Sequence, residues 1–134
     1  MGEGELRVLA VGQSVDVRVR ARATWTNTGI QLVAGQEYRF AARGRWWDAV
    51  VRRDADGYSS SLLRFAERWR RAPQENWFAL IGAIDEDEAH LCLIGTARTL
   101  VAPTSGVLTC FANDVRFMSW NNWGRIDLTV TRVE

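Results

Sequence analysis

The chain has 134 residues, carries 17 basic against 16 acidic side chains for a net charge of +1, and is 47% apolar. These numbers describe one compact domain over residues 1–134 and exclude an intrinsically disordered chain. A balance this close to zero supplies no bulk attraction for nucleic acid or an anionic membrane, and no apolar run reaches the ~18 residues of a spanning helix, so neither partner is expected.

Met1 to Arg7 lack the charged-then-apolar order of a secretory leader. The chain is therefore expected to be soluble and cytoplasmic as synthesised, with release to the extracellular space only by a route that needs no signal peptide. Leu6 to Val11 is a short apolar run that fits a first strand, broken by Gly12-Gln13-Ser14. Val15, Val17 and Val19 then alternate with Asp16, Arg18 and Arg20, the period-two pattern of a strand with one buried face. Trp25 to Gly29 reads as a turn ahead of Ile30 and Leu32, because Asn and Gly accept the positive backbone angles of a reversal. Ala34-Gly35-Gln36 turns the chain into Glu37 to Gly44, which alternates at its start.

From Ser59 to Arg71 the period changes. Leu62, Phe65, Ala66 and Trp69 recur at helical steps behind capping serines and ahead of Pro73, which predicts one short amphipathic helix. Its other side carries Arg64, Arg68 and Arg71, which reads as a solvated face before it reads as a phosphate contact. Trp77 to Ile84, apolar but for Gly82, predicts a strand buried on both faces. The acids Asp85 to Glu88 fit a solvated hairpin tip ahead of Leu91 to Ile94, and Thr99 to Ala102, Val107 to Ala112 and Ile126 to Val133 supply three more strands. Short strands separated by turns, with a single helix, predict an all-β fold: a small antiparallel β-sandwich.

These residues do not assemble an enzyme. His90 is the single histidine, and there is no nucleophile elbow, His-Glu zinc motif or phosphate-cradling glycine loop, so a non-enzymatic protein is expected. Cys92 and Cys110 lack zinc spacing and sit in apolar runs, as buried thiols do. All 17 cationic side chains are arginine, which reflects genomic base composition as easily as function. Asp54-Ala55-Asp56-Gly57 resembles the opening of a calcium loop but lacks the later bidentate Glu, and reads as a turn whose acids tie their own backbone. More informative is the stretch Asn113 to Gly124. Asp114 and the amides Asn113, Asn121 and Asn122 lie between two strands and are oxygen-rich material for calcium, which takes roughly six to eight oxygen ligands. The same composition also suits an ordinary polar loop. Seven tryptophans can fill a core or stack on sugar faces.

Several segments together carry a resemblance: Asn27-Thr28-Gly29-Ile30, Gly44-Arg45-Trp46-Trp47-Asp48, Asp54-Ala55-Asp56-Gly57-Tyr58, Asn76 to Gly82, Pro103-Thr104-Ser105-Gly106, Phe111 to Val115 and Trp120-Asn121-Asn122-Trp123-Gly124. Their order resembles the LecA-like bacterial galactose-binding lectins along nearly the whole chain, most strongly from Pro103 onward. The resemblance implies a galactose-binding-domain-like, jelly-roll type sandwich holding one Ca²⁺ in loops at one end, with two hydroxyls of a terminal galactose completing the metal shell. By position it implies side-chain oxygens from Asp114, Asn121 and Asn122, backbone carbonyls from Asp48 and Met118, and Val115 facing the sugar. It also implies a homo-oligomer, since single shallow glycan sites gain strength by repetition. Where the family usually has a Pro-Gly turn this chain has Arg116-Phe117, and a guanidinium repels calcium. A second reading therefore stays open: a structural or protein-interaction domain that kept the sandwich and lost metal and sugar.

Overall fold

The computed structural model describes residues 6–48, 51–58, 70–72, 74–114 and 122–134, and for 48 and 51–53 the backbone alone. The strands are β1 (Arg7–Val8), β2 (Ser14–Arg20), β3 (Thr26–Leu32), β4 (Glu37–Arg43), β5 (Trp46–Asp48), β6 (Val51–Arg53), β7 (Leu80–Ile84), β8 (Cys92–Leu93), β9 (Ala97–Val101), β10 (Gly106–Ala112) and β11 (Asn122–Arg132). The fold is all-β, as the period-two pattern predicts. One sheet runs β1-β3-β10-β7-β8, and the other runs β6-β5-β11-β4-β9 with β2 also paired to β11. Among the described residues only β1 and β3 pair in parallel; the remaining strand pairs are antiparallel.

The inward residues of both sheets meet in one core that includes Val19, Ile30, Tyr38, Phe40, Trp46, Leu108, Ile126, Leu128 and Val130. β10 is central in its sheet and is buried on both faces. Leu108, Cys110 and Ala112 enter the main core, while Phe111 turns outward to a second cluster with Ala72, Ala79 and Ile81. This cluster explains why Trp77 to Ile84 reads as continuously apolar: the segment before β7 folds over the outer face of its own sheet. At roughly 1.5–3 kcal/mol per large apolar side chain buried, both faces contribute to stability.

β11 is the long strand of the molecule and serves several partners. It pairs β2 from Arg125 to Thr131, β4 from Asp127 to Arg132, and β5 from Asn122 to Gly124. It begins at Asn122, four residues ahead of the predicted start, because Asn122 and Trp123 find ladder partners in Asp48 and Trp47 that their polar and turn-like context conceals. The predicted turn at Trp25 to Gly29 is likewise corrected: Thr26 to Gly29 belong to β3. The turn chemistry is real but is spent inside the strand. Gly29 has φ 74°, Asn27 Oδ1 accepts from Gly29 N at 2.8 Å, and the register against β10 shifts there. The result is a β-bulge. Most of the predicted helix from Ser59 to Arg71 lies outside the described residues, and at its end Arg70 and Arg71 are not helical. Among the described residues no helix is long and apolar enough to cross a membrane.

Candidate functional site

β10 delivers Asn113 and Asp114 to one end of the sandwich, and β11 starts there at Asn122, opposite Asp48 at the end of β5. The connection between β2 and β3 ties these ends together. Asn122 Nδ2 donates to the Ala21 carbonyl at 3.3 Å, Arg22 Nε donates to the Asn122 carbonyl at 3.1 Å, and Ala21 N donates to the Gly124 carbonyl at 3.0 Å. From the other side Arg71 N donates to the Asp114 carbonyl at 3.0 Å, while its guanidinium bonds the Thr24 carbonyl. That guanidinium also lies over the rings of Phe111, at 3.6 Å, and Trp25, at 4.7 Å. The arrangement anchors Asp114 and Asn122 on a common scaffold although they come from different sheets.

Asp114 and Asn122 are both buried. The amide of Asn122 is oriented by its own hydrogen bond: with Nδ2 committed to Ala21, Oδ1 points elsewhere, and it is buried with no hydrogen-bond partner among the described residues. A buried amide oxygen left in that state costs about 1–3 kcal/mol, which a bound donor or cation would offset. Asn113, sequence-adjacent to Asp114 and equally oxygen-bearing, has another use. Its Oδ1 accepts from Ala72 N at 2.9 Å, and its Nδ2 reaches the carbonyls of Ala72, Glu75 and Asn76 at 2.9, 3.2 and 2.9 Å. Asn113 is a latch for the 72–76 segment, and its side chain is not ligand material. Val115, Met118 and Asn121 lie outside the described residues, as do Arg116, Phe117 and Trp120.

The tryptophans divide by face. Trp46 is fully buried, donates through Nε1 to the Phe78 carbonyl at 3.1 Å and meets the Phe78 ring edge-on at 5.6 Å. Trp77 is buried beneath the Arg70 guanidinium at 4.8 Å. Trp47 and Trp123, cross-strand neighbours of β5 and β11, stack at 4.7 Å with ring planes 4° apart, and Trp123 remains 50% exposed. Sequence alternation places them opposite to Trp46 and Asn122, on the outer surface of the sheet. Trp69 lies outside the described residues.

The other acidic segments are structural. Asp54 Oδ1 accepts from Asp56 N at 3.0 Å, and the Asp56 carboxylate accepts from Thr96 N at 2.7 Å and Thr96 Oγ1 at 2.9 Å, so this turn ties its own backbone and the neighbouring loop. At the β7–β8 tip Asp85 and Glu86 have positive φ, and Asp85 Oδ1 accepts from Val107 N at 2.8 Å. His90 Nδ1 lies 2.9 Å from Asp87 Oδ2; that hydrogen bond and one from Ala89 N hold the Asp87 carboxyl below its ordinary range. The thiols are free, and burial pushes both above the ordinary range, with Cys110 fully buried. Among the described residues no group of three or more His, Cys, Asp and Glu is placed to hold a metal. The oxygen donors at the Asp114 end are one carboxylate and one orphaned amide.

No protein-family model matches the chain, and no curated protein matches it. Among solved structures it is similar to the EclA N-terminal domain, a PllA-like lectin, with a TM-score of 0.66 and 20% sequence identity over 87% of this chain and 94% of that one. The likeness is one of fold, and it spans the sandwich as a whole.

Proposed function

We propose that the chain is a non-enzymatic, carbohydrate-binding lectin domain whose site is built on Asp114 and Asn122 and is assisted by calcium, with galactose or a related sugar as ligand. The observation that carries this reading is the buried, orphaned Oδ1 of Asn122 at the end of the sandwich shared with Asp114. Its support is the fold shared with the PllA-like lectin domain. Hard oxygen donors suit calcium, and the residues here fit it: the Asp114 carboxylate supplies charge and Asn122 Oδ1 a neutral ligand. Asn121 and the carbonyls of Asp48 and Met118 complete the proposed set, with Val115 against the sugar. When bound, calcium exchanges water for vicinal hydroxyls, which a neutral protein surface does poorly. The chain's own part is to hold Asn122 in one orientation through Ala21 and to keep Asp114 out of bulk water. A single shallow site of this kind gains strength by repetition, which favours a homo-oligomer acting on glycans outside the cell.

The competing reading is an interaction domain with the same sandwich and no metal. It is favoured by the guanidinium of Arg22, fixed 3.1 Å from the Asn122 carbonyl, since a cation there weakens a second one nearby. Thermal unfolding in millimolar CaCl₂ separates the two. The lectin reading expects a rise in melting temperature with calcium, lost in Asp114→Asn, together with galactose binding by calorimetry only when calcium is present. An unchanged melting temperature and a silent glycan array favour the interaction domain.

A further inference from the structure

At the far end from Asp114 the two sheets leave space between them. β8 closes the edge of one sheet with two residues only, pairing Cys92 with Gly82 and Leu93 with Ile81, so Ala83 and Ile84 extend past it without a partner on that side. The result is a cavity of about 510 Å³, walled by Leu32, Tyr38, Phe40, Ile94 and Leu108 from both sheets. Leu32, Tyr38, Phe40, Ile94 and Leu108 are each at most 4% exposed and form its floor, and the space opens outward from them past the half-buried Ile84 and Leu100. Its volume falls within the roughly 300–1,000 Å³ of small-molecule sites.

The polar groups of the lining are few: the Tyr38 hydroxyl, which accepts from Val33 N at 2.9 Å, the half-buried Cys92 thiol, and, on exposed residues of the rim, Asp87 and His90 from the 85–91 tip and Thr104 from the turn before β10. Asp85, Glu86 and Glu88 stand on the same exposed tip, which makes the approach anionic. Arg98, the nearby cation, donates to the Leu93 carbonyl at 2.8 Å and does not line the cavity. We propose that this cavity binds a small apolar molecule with an uncharged or amine head, its body between the sheets and its head at Asp87 and His90. A carboxylate head is excluded by the acids of the rim. The site is separate from the candidate sugar site, since β10 runs from Gly106 beside this cavity to Ala112 beside Asp114, and it does not depend on the lectin reading.

The test uses the full chain and the neutral fluorescent probe N-phenyl-1-naphthylamine. Expected is saturable enhancement at one probe per chain, displaced by decanol and decylamine, with decanoate at least tenfold weaker. Leu100→Trp, which fills the cavity from its half-buried place on β9, and Thr104→Trp, which blocks its mouth from an exposed position, each reduce probe affinity at least tenfold. Asp87→Asn narrows the gap between decylamine and decanoate. The proposal is overturned by non-saturable probe binding, by undiminished binding in Thr104→Trp whether or not Leu100→Trp folds, or by self-association in sedimentation equilibrium that removes probe binding and so assigns the opening to a second copy.

Discussion

Replacing Asn113 by Ala separates a structural amide from a ligand amide. The side chain of Asn113 is fully buried and is spent on the 72–76 segment: it accepts from Ala72 N at 2.9 Å and donates to the carbonyls of Ala72, Glu75 and Asn76. Ala72 is itself buried, so its N–H loses its partner with little access to water, whereas its C=O keeps the Glu75 N–H at 3.0 Å and the carbonyl of the exposed Asn76 can be hydrated. One buried backbone donor left unsatisfied costs about 1–3 kcal/mol, which puts the loss at about 2 kcal/mol. For a domain of this size that is a fall in melting temperature of about 7 °C. Urea unfolding at constant slope, with thermal unfolding as a second probe, measures it. Asn113→Asp keeps the acceptor for Ala72 N but sets a carboxylate against three carbonyl oxygens, and should be at least as destabilising. Any calcium-induced rise should survive in Asn113→Ala, displaced to lower temperature. A loss below about 1 kcal/mol, or a calcium response that vanishes with Asn113, refutes the assignment of this residue as a latch.

The remaining predictions concern neighbouring features. Gly57 has φ 70°, and a Cβ there would lie 2.1 Å from the Trp77 carbonyl oxygen and 2.5 Å from Ala79 N, so Gly57→Ala should lower stability by about 3 kcal/mol in urea unfolding. Asp56→Ala removes both acceptors of Thr96, and native-state hydrogen exchange should show the Thr96 amide deprotected while the β10 amides stay protected. Burial holds the Cys110 thiol well above its ordinary pKa of 9.0, so the unfolded chain releases this proton first as pH rises. The associated stability is fully present below pH 9.0 and declines above it, with a slope approaching about 1.4 kcal/mol per pH unit for one proton. Cys110→Ala should remove most of that alkaline slope in urea unfolding from pH 7 to about 10.5; an unaltered slope would show that other groups carry it.

The architecture was legible where a local pattern and its tertiary use agree. The alternation of Val15, Val17 and Val19 appears as β2, the apolar run to Ile84 as β7 with its two-sided burial, and the acids after it as the β7–β8 tip. Legibility failed where a residue type serves two geometries. Asn27 and Gly29 offer turn chemistry, and only the opposing β10 makes it a bulge inside a strand. Asn122 and Trp123 read as loop, and only β5 makes them strand.

The same distinction holds at the candidate site. Chemical type alone determined that Asn113, Asp114 and Asn122 bear oxygens, because that property belongs to the side chain wherever it is placed. Tertiary structure decided their use: the 72–76 segment consumes the amide of Asn113, while Ala21 orients Asn122 and leaves its Oδ1 without a partner among the described residues. The cavity between the sheets has no sequence signature at all. It arises because β8 is too short to cover the end of β7, a mismatch between two edges that exists only once the strands are paired.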